Sequence, residues 1–106
     1  PVPLISGSVI QCRPVSVLKM TDESGPDAKI LAVPLDSLSR LYSHIKAKDD
    51  VSEQLMKQIS HFFEHYKDLE DDKWVKIEGW SSIDDAKKEI VESILRFKEA
   101  PIKPHF

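Results

Sequence analysis

Asp22, Glu23 and Asp27 place three carboxylates within six residues, and Lys29 follows closely. Hard cations such as Mg²⁺ take oxygen ligands and usually keep several waters. Two aspartates flanking the Gly25-Pro26 turn are therefore placed to share one cation. A solvated acidic hairpin tip has the same composition, and the pattern alone leaves that alternative open. Tyr66 and Lys67 form a second constellation, a phenol beside an ammonium that could hold phosphate oxygens, with the lysine acting as a point charge. The plainer alternative is a core tyrosine with its hydroxyl at the rim and a lysine placed where a helix C-terminus favours a cation. His61-Phe62-Phe63-Glu64-His65 matches H-x-x-E-H. Its two histidines share a helix face, but a catalytic zinc also needs a third protein ligand, and no downstream motif selects one. Surface or subunit-contact histidines account for the pattern better. Cys12 lies in a strand-like stretch and reads as a packing residue. With glycine only at 7, 25 and 79, there is no glycine-rich phosphate loop, and no nucleophile-elbow sequence occurs.

The elements that must position these groups follow from periodicity and turn chemistry. Val9, Ile10, Val15, Val17, Leu18 and Met20 make a β-rich stretch, in which Pro14 predicts an edge position or a bulge. The segment from Thr21 to Asp27 is a turn signal, and Ile30-Leu31-Ala32-Val33 then completes a hairpin that stops at Pro34. A short helix is expected near Leu38–Tyr42. From Ser52 the apolar residues Leu55, Ile59, Phe62, Tyr66 and Leu69 recur at helical spacing and predict one buried face, with Asp50 and Glu53 as a capping pair. Glu70-Asp71-Asp72 is a turn, and Trp74 to Trp80 a short strand. A second helix starts at Ser81 or Ser82, with Asp84 and Asp85 in its first turn, where carboxylates suit the helix dipole. Its expected buried stripe is Ile83, Ala86, Ile90, Ile94 and Phe97; Pro101 ends it, and a loose tail to Phe106 is expected. Strands, helix, strand, helix is the order of an α+β fold.

The chain has 106 residues, 41% hydrophobic and 31% charged, which fits a globular domain rather than a disordered one. A compact chain of this mass would expose roughly 6,000 Å², enough for one core and too little for two. No apolar run approaches the ~18 residues of a membrane span. The net charge of −3 argues against a general nucleic-acid binder. A single cysteine forms no internal disulfide and suggests a reduced, intracellular setting. Pro1-Val2-Pro3 is turn or linker chemistry.

Read together, several long motifs resemble one family. Gly7-Ser8-Val9-Ile10, Val17-Leu18-Lys19-Met20-Thr21-Asp22-Glu23-Ser24-Gly25 and Asp27-Ala28-Lys29 look like the second half of a soluble, type I bacterial inorganic pyrophosphatase. The stretch from His61 to Glu70 and that from Lys73 to Trp80 continue the likeness in order, so that it covers the chain up to about Lys98. The resemblance implies part of a small, twisted OB-type β-barrel with two main helices outside. It implies hydrolysis of inorganic pyrophosphate to two phosphates in the cytoplasm, with Mg²⁺ as cofactor. It assigns Asp22 and Asp27 to metal, and Lys29, Tyr66 and Lys67 to the phosphate groups. Thr21 and Glu23 flank the site without an assigned role, and no residue is assigned as catalytic. His61, His65 and Asp68 match positions at contacts between the trimers of a hexamer; histidine charge switches near neutral pH, so a pH-sensitive contact is implied.

The family's acidic signature, Asp-x-Asp-Pro-x-Asp, and its earlier lysine, arginine, tyrosine and glutamates have no counterpart in the chain. Residues 1–106 are therefore expected to be the C-terminal portion of a single pyrophosphatase domain, inactive alone. The alternative is a non-catalytic binding or assembly module that uses the β-barrel surface or the helix bearing His61 and His65.

Overall fold

A computed structural model of the chain describes residues 3–101. Its elements are β1 (Cys12–Asp22), β2 (Gly25–Pro34), 3-10 turns at Arg40–Tyr42 and Lys48–Asp50, α1 (Glu53–His65), β3 (Val75–Ser81) and α2 (Ile83–Glu99). The sheet is antiparallel with strand order β2-β1-β3, so the α+β expectation holds. These three strands form an open sheet whose two outer strands are β2 and β3.

The β1–β2 hairpin is tighter than its turn residues suggest. Asp22 pairs with Gly25, which leaves Glu23 and Ser24 as the tip. Gly25 has φ +114, a backbone state that a side chain disfavours. Asp22 closes the tip by accepting from the Ser24 N–H at 2.8 Å. Pro26 and Asp27 thus belong to β2 and not to the loop. Pro14 does mark a bulge: pairing with β2 shifts between Pro14 and Ser16. The missing N–H is tolerated because β3 pairs β1 only from Val17 to Asp22.

The middle of β1 forms the core. Val15, Ser16, Val17, Leu18 and Met20 are buried, joined by Val33, Ile45, Met56 and Ala86. The Ser16 hydroxyl donates to the Ser81 carbonyl at 2.5 Å, so its burial leaves no orphan donor. Arg13 pins the loop after β2 by donating to the Tyr42 carbonyl at 2.9 Å and to the Ile45 carbonyl. Cys12, expected to pack, is exposed, because it opens β1 where only Pro34 lies opposite.

Ser52 caps α1 by accepting from the Leu55 N–H at 3.2 Å. Asp50 instead accepts from the N–H groups of Lys46 and Ala47 and closes the preceding turn, so the expected Asp50–Glu53 capping pair does not form. The expected buried stripe is rotated. Leu55, Phe62 and Tyr66 are exposed, and Leu69 lies beyond the helix, fully exposed. Met56, Ile59, Ser60 and Phe63 are the less exposed side. The apolar arc of α1 is wide, and docking on β3 selects this part of it: the Trp80 indole N–H donates to the Ser60 hydroxyl at 3.0 Å.

In β3, Val75 and Ile77 are half-buried and Lys76 and Glu78 exposed, as the alternation predicts. Ser82 caps α2 through the Asp85 N–H. Only the first part of its stripe is covered: Ala86 is buried, whereas Ile94 and Phe97 are exposed. Ala100 adopts an extended conformation before Pro101, where proline disfavours the α region, and the helix stops. The expected loose tail lies, beyond Pro101, outside the described residues. Among the described residues, no helix is long and apolar enough to cross a membrane.

Candidate functional site

Strand register gathers the acidic and basic groups. Asp27 lies opposite Met20, and Lys29 opposite Leu18. Met20 and Leu18 alternate with Asp22 along β1, so Asp22, Asp27 and Lys29 share one face of the hairpin. The end of α1 and the turn after it supply the rest. Lys67 Nζ donates to Asp22 Oδ2 at 3.1 Å and to Glu23 at 3.2 and 3.4 Å. Lys73 Nζ stands 3.7 Å from Glu23 Oε1. On the neighbouring strand, Lys29 Nζ lies 3.2 Å from Asp27 Oδ2 and 5.7 Å from the centre of the Phe63 ring. Phe63 in turn meets Tyr66 edge-on at 5.8 Å, and Lys67 Nζ lies 5.6 Å from the Tyr66 ring. The five residues expected to handle metal and phosphate thus fall in one neighbourhood, linked through Phe63.

The electrostatics hold Asp22 and Lys67 charged. The hydrogen bond from Lys67 lowers the Asp22 pKa below its ordinary 3.8, helped by the Ser24 N–H. The reciprocal bond to Asp22 raises Lys67 above the usual ammonium range, against some desolvation. The Lys67, Asp22 and Glu23 side chains are only 16%, 13% and 17% exposed, so solvent screens them less than a surface pair. From the sequence, Lys73 and Phe63 have no role, and Glu23 counts in the acidic run without an assigned one. Glu23 adjoins a candidate ligand, but its contact with Lys67 spans 44 residues, and no local pattern encodes it.

Asp22 and Asp27 are hard, ionisable oxygen donors, the type a divalent cation takes, and they lie on one face. They fit as part of a cation's shell and do not complete it. Among the described residues, no group of three or more His, Cys, Asp or Glu side chains converges on one point. His61, His65 and Asp68 form a separate, exposed cluster. The two imidazole rings are 4.5 Å apart, and His65 Nδ1 lies 2.9 Å from Asp68 Oδ2.

Carboxylates of the type a hard cation takes thus stand beside two ammonium groups and a phenol, the chemistry a polyanion bound with metal would need. The comparisons narrow that chemistry. The family model described as inorganic pyrophosphatase matches residues 1–98, and the chain belongs to the inorganic pyrophosphatase family. The inorganic pyrophosphatase of Escherichia coli K12 is 62% identical over 98 residues, which are 92% of this chain and 56% of that protein. That of Vibrio vulnificus YJ016 is 58% identical over 96 residues, 91% of this chain and 54% of that protein. Among solved structures, an inorganic pyrophosphatase from Coxiella burnetii superposes with a TM-score of 0.86 at 47% identity, over 92% of this chain and 58% of that one. The Thermus thermophilus enzyme gives 0.82 at 41% identity, over 91% and 55%. The chain spans about half the length of the curated relatives it matches.

Proposed function

We propose that residues 1–106 are the C-terminal portion of a single pyrophosphatase domain, and that the completed, cytoplasmic protein hydrolyses inorganic pyrophosphate to two phosphates with Mg²⁺. The observation that carries this reading is the convergence of Asp22 with Lys67, and of Asp27 with Lys29, on one face of the hairpin. Asp22 and Asp27 would hold Mg²⁺ together with donors from outside the chain. A bound divalent cation supplies activation of a water and neutralisation of phosphate charge. Lys29, Lys67 and the Tyr66 hydroxyl bind phosphate oxygens and stabilise charge that moves toward the leaving phosphate. Phe63, between Lys29 and Tyr66, orients both by packing and keeps water from one side of them.

Two further observations support incompleteness. The chain exposes 8188 Å², well above the roughly 6,000 Å² of a compact chain of its mass. The outer edges of β2 and β3 are open for further pairing, as closure of a barrel would use them. The exposed His61, His65 and Asp68 cluster supports a contact between copies in a hexamer. The relatives matched are named as enzymes, and a non-catalytic module draws no support from them.

The test is phosphate release from pyrophosphate with Mg²⁺, by the chain and by the chain joined to the N-terminal segment of the E. coli relative. Release barely above background is expected from the chain, and robust turnover from the extended form. Full turnover by the chain alone, or none by an extended form that folds, would overturn the reading.

A further inference from the structure

Glu23 is the one carboxylate of this neighbourhood without an assigned task, yet it is as enclosed as Asp22. The Lys67 ammonium has three N–H donors, and its contacts go to Asp22 Oδ2 and to both oxygens of Glu23. Both Asp22 oxygens are thus already engaged, Oδ2 by Lys67 and Oδ1 by the Ser24 N–H. A divalent cation at Asp22 would repel the ammonium and compete with it for the carboxylate. Lys67 can still serve a phosphate only if something else keeps it near. Lys73, 3.7 Å from Glu23, offsets part of the Glu23 charge without displacing Lys67.

We propose that Glu23 is the positioning residue for Lys67, holding its ammonium at the phosphate site when Asp22 is given over to a divalent cation. This rests on the reading of the site as one for metal and pyrophosphate. Glu23 touches neither substrate nor metal and acts through Lys67. The four charges, Asp22, Glu23, Lys67 and Lys73, balance when the cation is away. When it binds, the Glu23–Lys67 pair keeps a neutral unit from which the ammonium can extend one donor to a phosphate oxygen.

The sign of one measurement separates this role from a bystander charge. The probe is inorganic phosphate, titrated calorimetrically at saturating Mg²⁺ into the chain and into its extended form. A carboxylate that only adds negative charge near an anion site weakens anion binding, so Glu23→Gln would then tighten it. A positioning carboxylate gives the opposite: Glu23→Gln weakens phosphate binding by about tenfold, the order expected for a lost charged hydrogen bond. Glu23→Asp recovers part of the loss, and circular dichroism checks that each variant folds. In a Lys67→Met background, Glu23→Gln no longer weakens binding. Tightening by Glu23→Gln, or the same weakening with and without Lys67, overturns the proposal while leaving the site itself standing. If Lys67→Met leaves phosphate binding unchanged, or if the unaltered protein binds no phosphate in either form, the site reading fails and the proposal with it.

Discussion

The chain carries two acidic runs of similar composition, and they have opposite fates. Asp22 and Glu23 sit at a hairpin tip with part-buried side chains, tied to Lys67 from the turn after α1. Glu70, Asp71 and Asp72 form a turn in which all three residues are exposed. From their residues, both runs can be solvated turns, and the first can also be a cation site. What separates them is reach: the turn after α1 comes down on the hairpin tip, so the first run gains the Lys67 ammonium at hydrogen-bond distance. A carboxylate becomes a candidate for function here through the company that docking brings to it.

The sharpest way to test that contrast is activity. In the extended protein, Asp22→Asn and Asp27→Asn should each lower pyrophosphate hydrolysis by ~100-fold or more, because an amide keeps the shape but loses the charge that holds a hard cation. Asp71→Asn should leave the rate within about twofold, since an exposed charge is screened beyond a Debye length. Rates measured against Mg²⁺ concentration check both. Equal effects in the two runs would remove the distinction.

Assembly comes next. His61→Ala combined with His65→Ala should weaken association of the extended protein while metal-dependent hydrolysis per folded protomer persists, because the histidine cluster is separate from the Lys67 neighbourhood. Sedimentation velocity reads the outcome, and an unchanged oligomer would remove the subunit contact from this face.

A smaller effect is the pH dependence of stability. Asp22 has its pKa lowered in the folded state, chiefly by Lys67. Its contribution is therefore present above the unfolded value near 3.8 and is lost as pH falls through the lower folded value. Asp50 and Asp85 are lowered too, the first by the Lys46 and Ala47 N–H groups and the second by Ser81, so they share the acid window. Lys67 has the opposite sign: its raised pKa gives stability that is present below 10.5 and lost only in strong alkali. Melting temperature should fall below about pH 4, and Lys67→Met should make that fall shallower. An unchanged slope in Lys67→Met would show that the pair does not form.

The smallest effect belongs to the second run. Asp72 has φ 61, a left-handed conformation that aspartate tolerates better than alanine. Asp72→Ala should cost about 1 kcal/mol in urea unfolding, with activity of the extended protein unchanged. A loss of activity there would give the second run a role it lacks in the present comparison.

Much of the chain was legible before its structure. Pro14 announced an edge position or a bulge, Gly25 a turn, Ser81 or Ser82 the start of α2 and Pro101 its end, because each acts through its own backbone constraints. The long motifs around Asp22, Lys29 and Lys67 pointed to the family through resemblance, and the comparisons agree. The rotation of α1 was not legible. Its apolar arc allows Leu55, Phe62 and Tyr66 to be either the inner or the outer side, and the choice came from Trp80 meeting Ser60. Neither was the partial burial of α2 beyond Ala86 legible: Ile94 and Phe97 carry a core pattern, yet they stay 49% and 40% exposed.

By itself, then, the order of residues determined the local elements and several of their ends, since periods of two and 3.6 and the caps are properties of short stretches of backbone. The tertiary structure alone decided which acids meet which bases. The contact of Lys67 with Asp22 and Glu23 joins residues more than forty apart in sequence. Charges that far apart along a chain interact at hydrogen-bond distance only once β1 has paired with β3 and α1 has packed on β3, and that packing is the sum of many contacts that no single motif carries.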